Sequence, residues 1–348
     1  MAKSGRYTYF WPFEISLKIS LITDAAYPQV NGVVNTLRNT IRCLESFGHT
    51  VQHLTPAPFS SIPCPTYPEI RLSLGAGRAI AEAIDAFSPD AVHIATEGPL
   101  GLAARRHCLR TGRAFTTAYH TRFPEYVHAR FKVPLSITYR FLRWFHGPSK
   151  AVMAPTKTVI DDLIRNGIAQ AQHWTRGVDV ELFRPLAERP SNPEHVYLYV
   201  GRVSVEKNIA AFLALDLPGK KVVVGDGPLL HDLEARYPDV EFAGAKRGAE
   251  LVSYYQRADV FVFPSKTDTF GLVLLEALAC GTPVAAFPVT GPLDVVGTSP
   301  AAVLSMDLRA ACIRALKVSR ETARAEALRN SWEAATRQFE GNLHPARA

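Results

Sequence analysis

Between Pro264 and Pro288 the chain reads PSKTDTFGLVLLEALACGTPVAAFP, which sets two carboxylates, Asp268 and Glu276, eight positions apart. Asp268 lies in a Thr-Phe-Gly setting and Glu276 in an apolar run. Charges are seldom buried without a partner, so the rest of the chain has to supply one for each. An ionised carboxylate only accepts hydrogen bonds, which suits hydroxyl-rich ligands: Glu276 for the two hydroxyls of a ribose, Asp268 for those of a sugar. The letters divide into a strand (DVFVFPS), a loop (KTDTF) and a helix (GLVLLEALA) ended by Gly281. The backbone N–H groups of Thr269, Phe270, Gly271, Leu272 and Val273 then lie at the positive end of the helix, a ready anion site. Gly271 lets a ligand approach the backbone closely. A plain helix cap and a surface glutamate would account for the same letters.

Two more loops carry groups of matching chemistry. In YLYVGRVSVEKN, Arg202 and Lys207 follow a strand; the arginine fork grips a diphosphate bidentately and the lysine adds a point charge. Gly32, in PQVNGVVNTL, offers a second close approach to an anion before a helix. His120, in TTAYHTRFPEY, stands at a strand end with Arg122 and Glu125 beyond it, where an imidazole contacts a sugar hydroxyl or polarises a reacting group. Surface charges, an ordinary turn and a structural histidine are the plain readings of these three. Gly225 and Gly227 in VVVGDGPLL do not complete a dinucleotide fingerprint, because position 230 is Leu. With no acidic ribose ligand at the required spacing, a nicotinamide site is not expected, and Gly225–Pro228 reads as a tight turn.

The elements that must position these groups follow from patterning. Short β-branched runs alternate with helical patterns, which implies βαβ units and parallel sheets. LKISLITD, TVQHLTP, DAVHIAT and RAFTTAYHT form one series of strands; VYLYVGR, KKVVVGDG, VEFAGA, VFVFPS and PVAAFP form a second. At 348 residues, two domains fit better than one core. The expected division is an extension over 1–14, a Rossmann-like domain over 15–188, and a second over 189–319. A Pro-rich linker at 185–195 joins the two, and a tail helix over about 320–345 returns to the first domain. In such sheets ligands bind beyond the carboxyl ends of the strands, so two domains facing across a cleft would line it with the loops named above.

Composition bounds the partners. Residues 1–188 hold 21 Lys+Arg against 14 Asp+Glu, and residues 189–348 hold 18 of each, so the whole net charge of +7 lies in the first half. Such an excess favours an anionic surface or substrate there, but no nucleic-acid module or basic tail is recognisable, so nucleic acid is not expected. Five scattered cysteines (43, 64, 108, 280 and 312) give neither a disulfide framework nor a metal spacing. No run is long enough to span a membrane, and Glu14 and Lys18 interrupt what would be a signal peptide. The segment 128–150, HARFKVPLSITYRFLRWFHGPSK, interleaves Arg130, Lys132, Arg140, Arg143 and Trp144 with other aliphatic and aromatic residues. That mixture suits an anionic membrane interface, or a partly buried helix whose arginines reach out to water.

Taken together, SLITDAAYPQVNGVVNTL, TEGPLGLAAR, TAYHTRFPEY, RGVDVELFRP, VGRVSVEKN, GDGP, the Pro264–Ala286 stretch and GPLDVVG resemble the retaining glycosyltransferases of family 4 over nearly the whole chain. Within that family the branch of interest contains bacterial α-mannosyltransferases and sulfoquinovosyl- or glycosyl-diacylglycerol synthases. The resemblance implies a GT-B fold and an enzyme that moves a hexosyl or uronosyl group from a UDP- or GDP-linked sugar. It implies Glu276 as the ribose ligand, Arg202 and Lys207 as the diphosphate pair, Gly32 near the phosphates and His120 near the donor sugar. Asp268 stands where the family usually has Glu, one methylene shorter. No DxD motif is present, so neither a metal nor another cofactor is expected. The expected acceptor is a membrane lipid such as diacylglycerol, at the inner face of the cytoplasmic membrane; a polyprenyl-linked or soluble saccharide is the alternative. A nucleotide-sugar epimerase and a non-catalytic nucleotide-sugar binder are the rival classes.

Overall fold

In the computed structural model the described residues are 16–26, 32–64, 67–120, 123–125, 127, 132–189, 193–268, 270–297 and 299–347. The chain divides into two compact units. One runs to Thr175 and is joined by the segment from Glu333 onward; the other is Arg176–Trp332.

The first unit is built on a parallel sheet of β1 (Lys18–Ile22), β2 (Thr50–Leu54), β5 (Ala91–Ile94), β6 (Thr116–Ala118), β7 (Val152–Ala154) and β8 (Ala171–His173), in the order β2-β1-β5-β6-β7-β8. The register pairs Ile19 with Val51 on one side and Ala91 on the other. An antiparallel pair, β3 (Ser61–Cys64) and β4 (Tyr67–Ser73), stands apart. Helices cover both faces: Leu17, Ile19, Leu21, Trp174 and Phe339 pack on one side, and Ile22, Ile80, Val92, Ile94 and Phe145 on the other.

The second unit repeats the plan with β9 (Val196–Val200), β10 (Lys220–Val224), β11 (Glu241–Phe242), β12 (Val260–Phe263), β13 (Val284–Ala286) and β14 (Ala302–Leu304), ordered β11-β10-β9-β12-β13-β14 and all parallel. Strand side chains alternate between faces. Leu198, Val222, Phe261 and Val284 therefore enter one core, and Tyr197, Val223, Val262 and Ala285 the other. Burial of both faces is why these strands read as unbroken apolar runs. No helix among the described residues is long and apolar enough to cross a membrane.

Two boundaries differ from those the sequence suggests. The units divide at Thr175/Arg176 rather than near 189. Residues after 176 belong to the second unit because Val178 N–H bonds Asn330 O at 3.0 Å, and Arg324 donates to the carbonyls of Val180 (3.0 Å) and Phe183 (2.8 Å). The tail is also two helices rather than one, Arg320–Leu328 and Trp332–Gly341. Ala323 and Ala327 of the former lie in a core of the second unit, so the return to the first unit begins only at Glu333.

Candidate active site

Strand order in the second sheet reverses between β9 and β12, and such a reversal opens a crevice at the carboxyl ends of the two strands. The loop after β9 carries Arg202 and Lys207; the loop after β12 carries Asp268. Hydrogen bonds fasten these loops together. Asn208, in a left-handed conformation (φ 53°), donates from Nδ2 to Pro264 O at 3.0 Å, and Thr267 Oγ1 donates to Glu206 O at 3.1 Å. From the other side the Gly225–Pro228 turn packs backbone against backbone: Gly201 N–H bonds Val224 O at 3.0 Å and Val203 N–H bonds Asp226 O at 2.9 Å. A Cβ on Gly225 would lie 1.8 Å from Gly201 O. That turn is a wall holding the Arg202 loop in place, and glycine is what the approach requires.

Lys207 Nζ is hydrogen-bonded to Asp268 Oδ1, with the two side chains 26% and 15% exposed. The second oxygen, Asp268 Oδ2, is buried and has no hydrogen-bond partner among the described residues. Beneath the pair, the Tyr199 hydroxyl donates to Arg202 O at 2.8 Å. Burial raises its phenol pKa, and the charges of Asp268 and Glu206 add to the shift, so Tyr199 remains a neutral donor. Arg202 is exposed at the rim.

The helix Leu272–Ala279 starts from Gly271, itself left-handed (φ 85°) and so tightly packed that a Cβ would come within 3.1 Å of the Phe263 ring. Phe270 is buried in the core, so its side chain anchors the helix start. Glu276 is half-buried, and its Oε2 accepts a hydrogen bond from the Tyr255 hydroxyl at 2.9 Å. Burial pushes this carboxyl up to about 7, against the lowering effect of Tyr255. Behind it, Arg320 donates to the carbonyls of Gln256 (3.0 Å), Ala258 (2.9 Å) and Cys280 (2.8 Å), and Arg324 to Ala279 O at 2.8 Å. The two arginines satisfy the orphan carbonyls at the ends of both helices and so fix the helix of Tyr255 against that of Glu276. Gly291 closes the floor: a Cβ there would lie 2.7 Å from Asp268 O.

The structure therefore gathers Arg202, Lys207, Asp268, Phe270, Gly271, Leu272, Val273 and Glu276 at one edge of the second unit. Thr269 lies outside the described residues. Gly32 and His120 belong to the first unit. Gly32 opens the helix Gly32–Ser46 after β1, its carbonyl accepting from Thr36 Oγ1 at 2.7 Å. His120 follows β6, half-buried, with its ring edge-on to Trp174 at 5.6 Å. In this sheet the strand order reverses between β1 and β5. There the start of helix Pro99–Thr111 is filled by the buried carboxyl of Asp24, which accepts from Leu100 N at 2.9 Å and from Thr96 Oγ1 at 2.8 Å. That helix end is already occupied by a carboxyl of the protein's own. Lys132, Arg140, Arg143 and Trp144 are all exposed, but the Arg143 guanidinium donates to Asn166 O at 3.0 Å; Arg130 lies outside the described residues.

Sequence reasoning passed over Asn208, Tyr255 and Gly291. A buried tyrosine needs a hydrogen-bond acceptor, so the YYQRADV run ahead of β12 held a readable signal for Tyr255. Asn208 and Gly291 stand inside the VGRVSVEKN and GPLDVVG motifs, but their roles arise from loops distant in sequence.

Comparison with known proteins places the chain in a family. The family model described as Glycosyltransferase Family 4 matches residues 30–182, and the model described as Glycosyl transferases group 1 matches residues 194–317. The sulfoquinovosyl transferase SQD2 of Arabidopsis thaliana is 30% identical over 311 residues, covering 80% of this chain and 61% of that protein. A GDP-mannose-dependent alpha-mannosyltransferase of Mycobacterium tuberculosis is 29% identical, covering 80% of this chain and 81% of its own length. An alpha-monoglucosyldiacylglycerol synthase of Streptococcus pneumoniae is 29% identical, covering 78% and 71%. Among solved structures, the sucrose-phosphate synthase of Thermosynechococcus elongatus superposes with a TM-score of 0.72 at 21% identity, covering 93% of this chain and 97% of that one. The chain belongs to glycosyltransferase family 4 and has the GT-B fold.

Proposed function

We propose that this enzyme moves a hexosyl or uronosyl group from a UDP- or GDP-linked sugar to a hydroxyl of a membrane lipid such as diacylglycerol, with retention of configuration and without a metal ion. The observation that carries the reading is the convergence of Arg202, Lys207, Asp268, the helix start at Gly271 and Glu276 where strand order reverses in the second sheet. In this reading Glu276 accepts from the ribose hydroxyls and Asp268 Oδ2 from a sugar hydroxyl. Arg202, Lys207 and the helix amides stabilise the charge that builds on the diphosphate as it leaves, the largest catalytic contribution expected of such a site. These cations and the helix dipole supply the positive charge that a divalent ion would otherwise bring. The acceptor oxygen bonds to the anomeric carbon on the face from which the diphosphate departs, and the acceptor proton passes to a diphosphate oxygen. His120 is assigned to the transferred sugar, and Gly32 to the approach of its phosphates.

For the acceptor, the support is the helix Leu135–His146 of the first unit. Ile137, Arg140, Phe141 and Trp144 recur at helical spacing along one stripe. Ile137 is 59% and Trp144 53% exposed. Arg105 stacks under Trp144 at 4.1 Å and donates to the carbonyls of Trp144 (2.6 Å) and Phe145 (2.9 Å), so the helix end is rigid. An apolar stripe edged with cations fits the surface of an anionic bilayer, as a peripheral enzyme on the cytoplasmic face requires. The similarity to the mannosyltransferase favours a second reading, mannosyl transfer from a GDP-linked donor to a saccharide acceptor.

A transfer assay separates these readings. Purified protein is incubated with UDP-glucose, UDP-galactose, UDP-glucuronate or GDP-mannose, with and without anionic vesicles containing diacylglycerol, and the extracted lipids are weighed by mass spectrometry. A hexose- or uronate-sized gain on the glyceride is the expected result. Donor consumption without a lipid product sinks the lipid acceptor, and conversion of the donor sugar itself identifies an epimerase.

A further inference from the structure

The Glu276 carboxylate is half-buried in an apolar helix, and the group that meets it is a phenol rather than a cation. Tyr255, the eighth residue of helix Gly248–Arg257, is fully buried; its ring packs edge-on against Phe183 (6.0 Å) and Phe261 (5.7 Å). Its hydroxyl reaches Glu276 Oε2 at 2.9 Å. We propose that Tyr255 is a positioning residue for nucleotide recognition: it holds one oxygen of Glu276 so that the other is presented, ionised, to the ribose hydroxyls. The inference rests on the reading of this edge as a nucleotide-sugar site and adds a role that reading does not contain.

Three observations support it. A phenol hydroxyl that donates to Oε2 leaves Glu276 both lone pairs of Oε1, the arrangement a vicinal diol needs. Burial makes the phenol harder still to ionise, and the neighbouring Glu276 charge adds to that effect, so Tyr255 stays a donor throughout the working pH range. The backbone that carries the phenol is also clamped: Thr282 Oγ1 donates to the Tyr255 carbonyl at 2.6 Å, and Arg320 ties the ends of both helices together through Gln256 O and Cys280 O. Other titratable groups near Glu276 are accounted for. Cys280, one turn along the same helix, is pushed up to about 12 by burial and by Glu276, so it remains a neutral thiol. Arg320 and Arg324, from helix Arg320–Leu328, are spent on backbone carbonyls. Tyr255 is thus the donor, among the described residues, that favours the ionised form of Glu276.

The test is nucleotide binding by calorimetry between pH 6 and 9, on wild type, Tyr255→Phe, Glu276→Gln and the double variant, with UDP, GDP and 2′-deoxy-UDP as probes. The phenylalanine keeps the ring and its packing, and circular dichroism checks the fold. Tyr255→Phe is expected to weaken UDP or GDP binding at pH 7 by roughly tenfold, the effect of one hydrogen bond to a charged group. The pH at which affinity rises should move up by about one unit, and the preference for UDP over its deoxy analogue should shrink. In the Glu276→Gln background the same change should have no further effect. An unchanged affinity, pH profile and deoxy preference in Tyr255→Phe would overturn the inference while leaving the nucleotide site standing. Failure of the wild type to bind UDP or GDP would overturn the site reading itself, and this inference with it.

Discussion

Lys207 Nζ is hydrogen-bonded to Asp268 Oδ1, so the cation assigned to the diphosphate and the carboxylate assigned to the sugar neutralise one another before any ligand arrives. The pair bridges the loops after β9 and β12, while the buried Asp268 Oδ2 has no hydrogen-bond partner among the described residues. In the proposed reading, a diphosphate entering the crevice competes with Asp268 for this ammonium. Replacing Asp268 by Asn removes the competitor and should tighten UDP binding about fivefold at low salt, the equivalent of roughly 1 kcal/mol for a partly exposed ion pair. Turnover should fall at least about tenfold, because an amide is a poorer acceptor for the sugar hydroxyl than a carboxylate. Calorimetry and initial rates on the same preparation check both halves. Weaker UDP binding in Asp268→Asn would mean that the pair organises the site rather than competing for it.

The second carboxylate makes stability depend on pH. In the folded chain Glu276 titrates near 7 instead of the ordinary 4.5. Between those values the folded state holds a proton that the unfolded state has lost. Stability therefore falls as pH rises through the window and is level above it, by roughly 3 kcal/mol for a shift of this size. Glu276→Gln abolishes the loss. Its melting temperature should match wild type near pH 5 and exceed it at pH 8, even though nucleotide binding is weakened. Thermal denaturation at the two pH values checks this, and equal differences at both would show that Glu276 is solvated.

Gly225 offers a test of the architecture that needs no ligand. A methyl group there would sit 1.8 Å from Gly201 O, inside the loop that carries Arg202 and Lys207. Gly225→Ala should cost about 3 kcal/mol or more and weaken nucleotide binding as well, since the backbone must move. Gly112, also left-handed (φ 68°) but with open space around it, should cost only about 1 kcal/mol as Ala. Similar melting shifts for the two variants would show that the Gly225 turn yields freely.

Much of this was legible because sheet and site chemistry are written locally. A parallel strand buried on both faces reads as an apolar run, and a functional loop follows it directly, as in VYLYVGR and DVFVFPS. What escaped was set by contacts across long stretches of chain. The three-residue strands β7, β8 and β14 are not legible in the sequence. The unit boundary passed Pro-rich residues 185–195 because Arg324, far along the chain, draws Val180 and Phe183 into the second unit. The partners of the two acidic residues divide in the same way. Lys207 was named from its own loop, whereas Tyr255 lies in a separate helix, where its buried hydroxyl is the one signal of a polar partner.

The exposed stripe on helix Leu135–His146 yields the last prediction. Leu142 and Phe145 of this helix are buried in the first unit, whereas Ile137 and Trp144 project outward with Arg140 between them. Substituting Ile137 and Trp144 by Ser together should lower the melting temperature only modestly, through loss of the Arg105–Trp144 stack, because both side chains are more than half exposed. Binding to phosphatidylglycerol vesicles should drop at least about tenfold, since each large apolar group inserted contributes on the order of 1 kcal/mol or more. Arg140→Glu should act differently: a fall of about fivefold to tenfold at low ionic strength, from roughly 1 kcal/mol per basic residue, that fades as salt is raised. Co-sedimentation at two salt concentrations separates the apolar and electrostatic parts. Wild-type partition by both variants would remove the membrane from the proposed function, whereas loss confined to low salt in Arg140→Glu and present at both salts in the serine variant would assign this helix as the docking face.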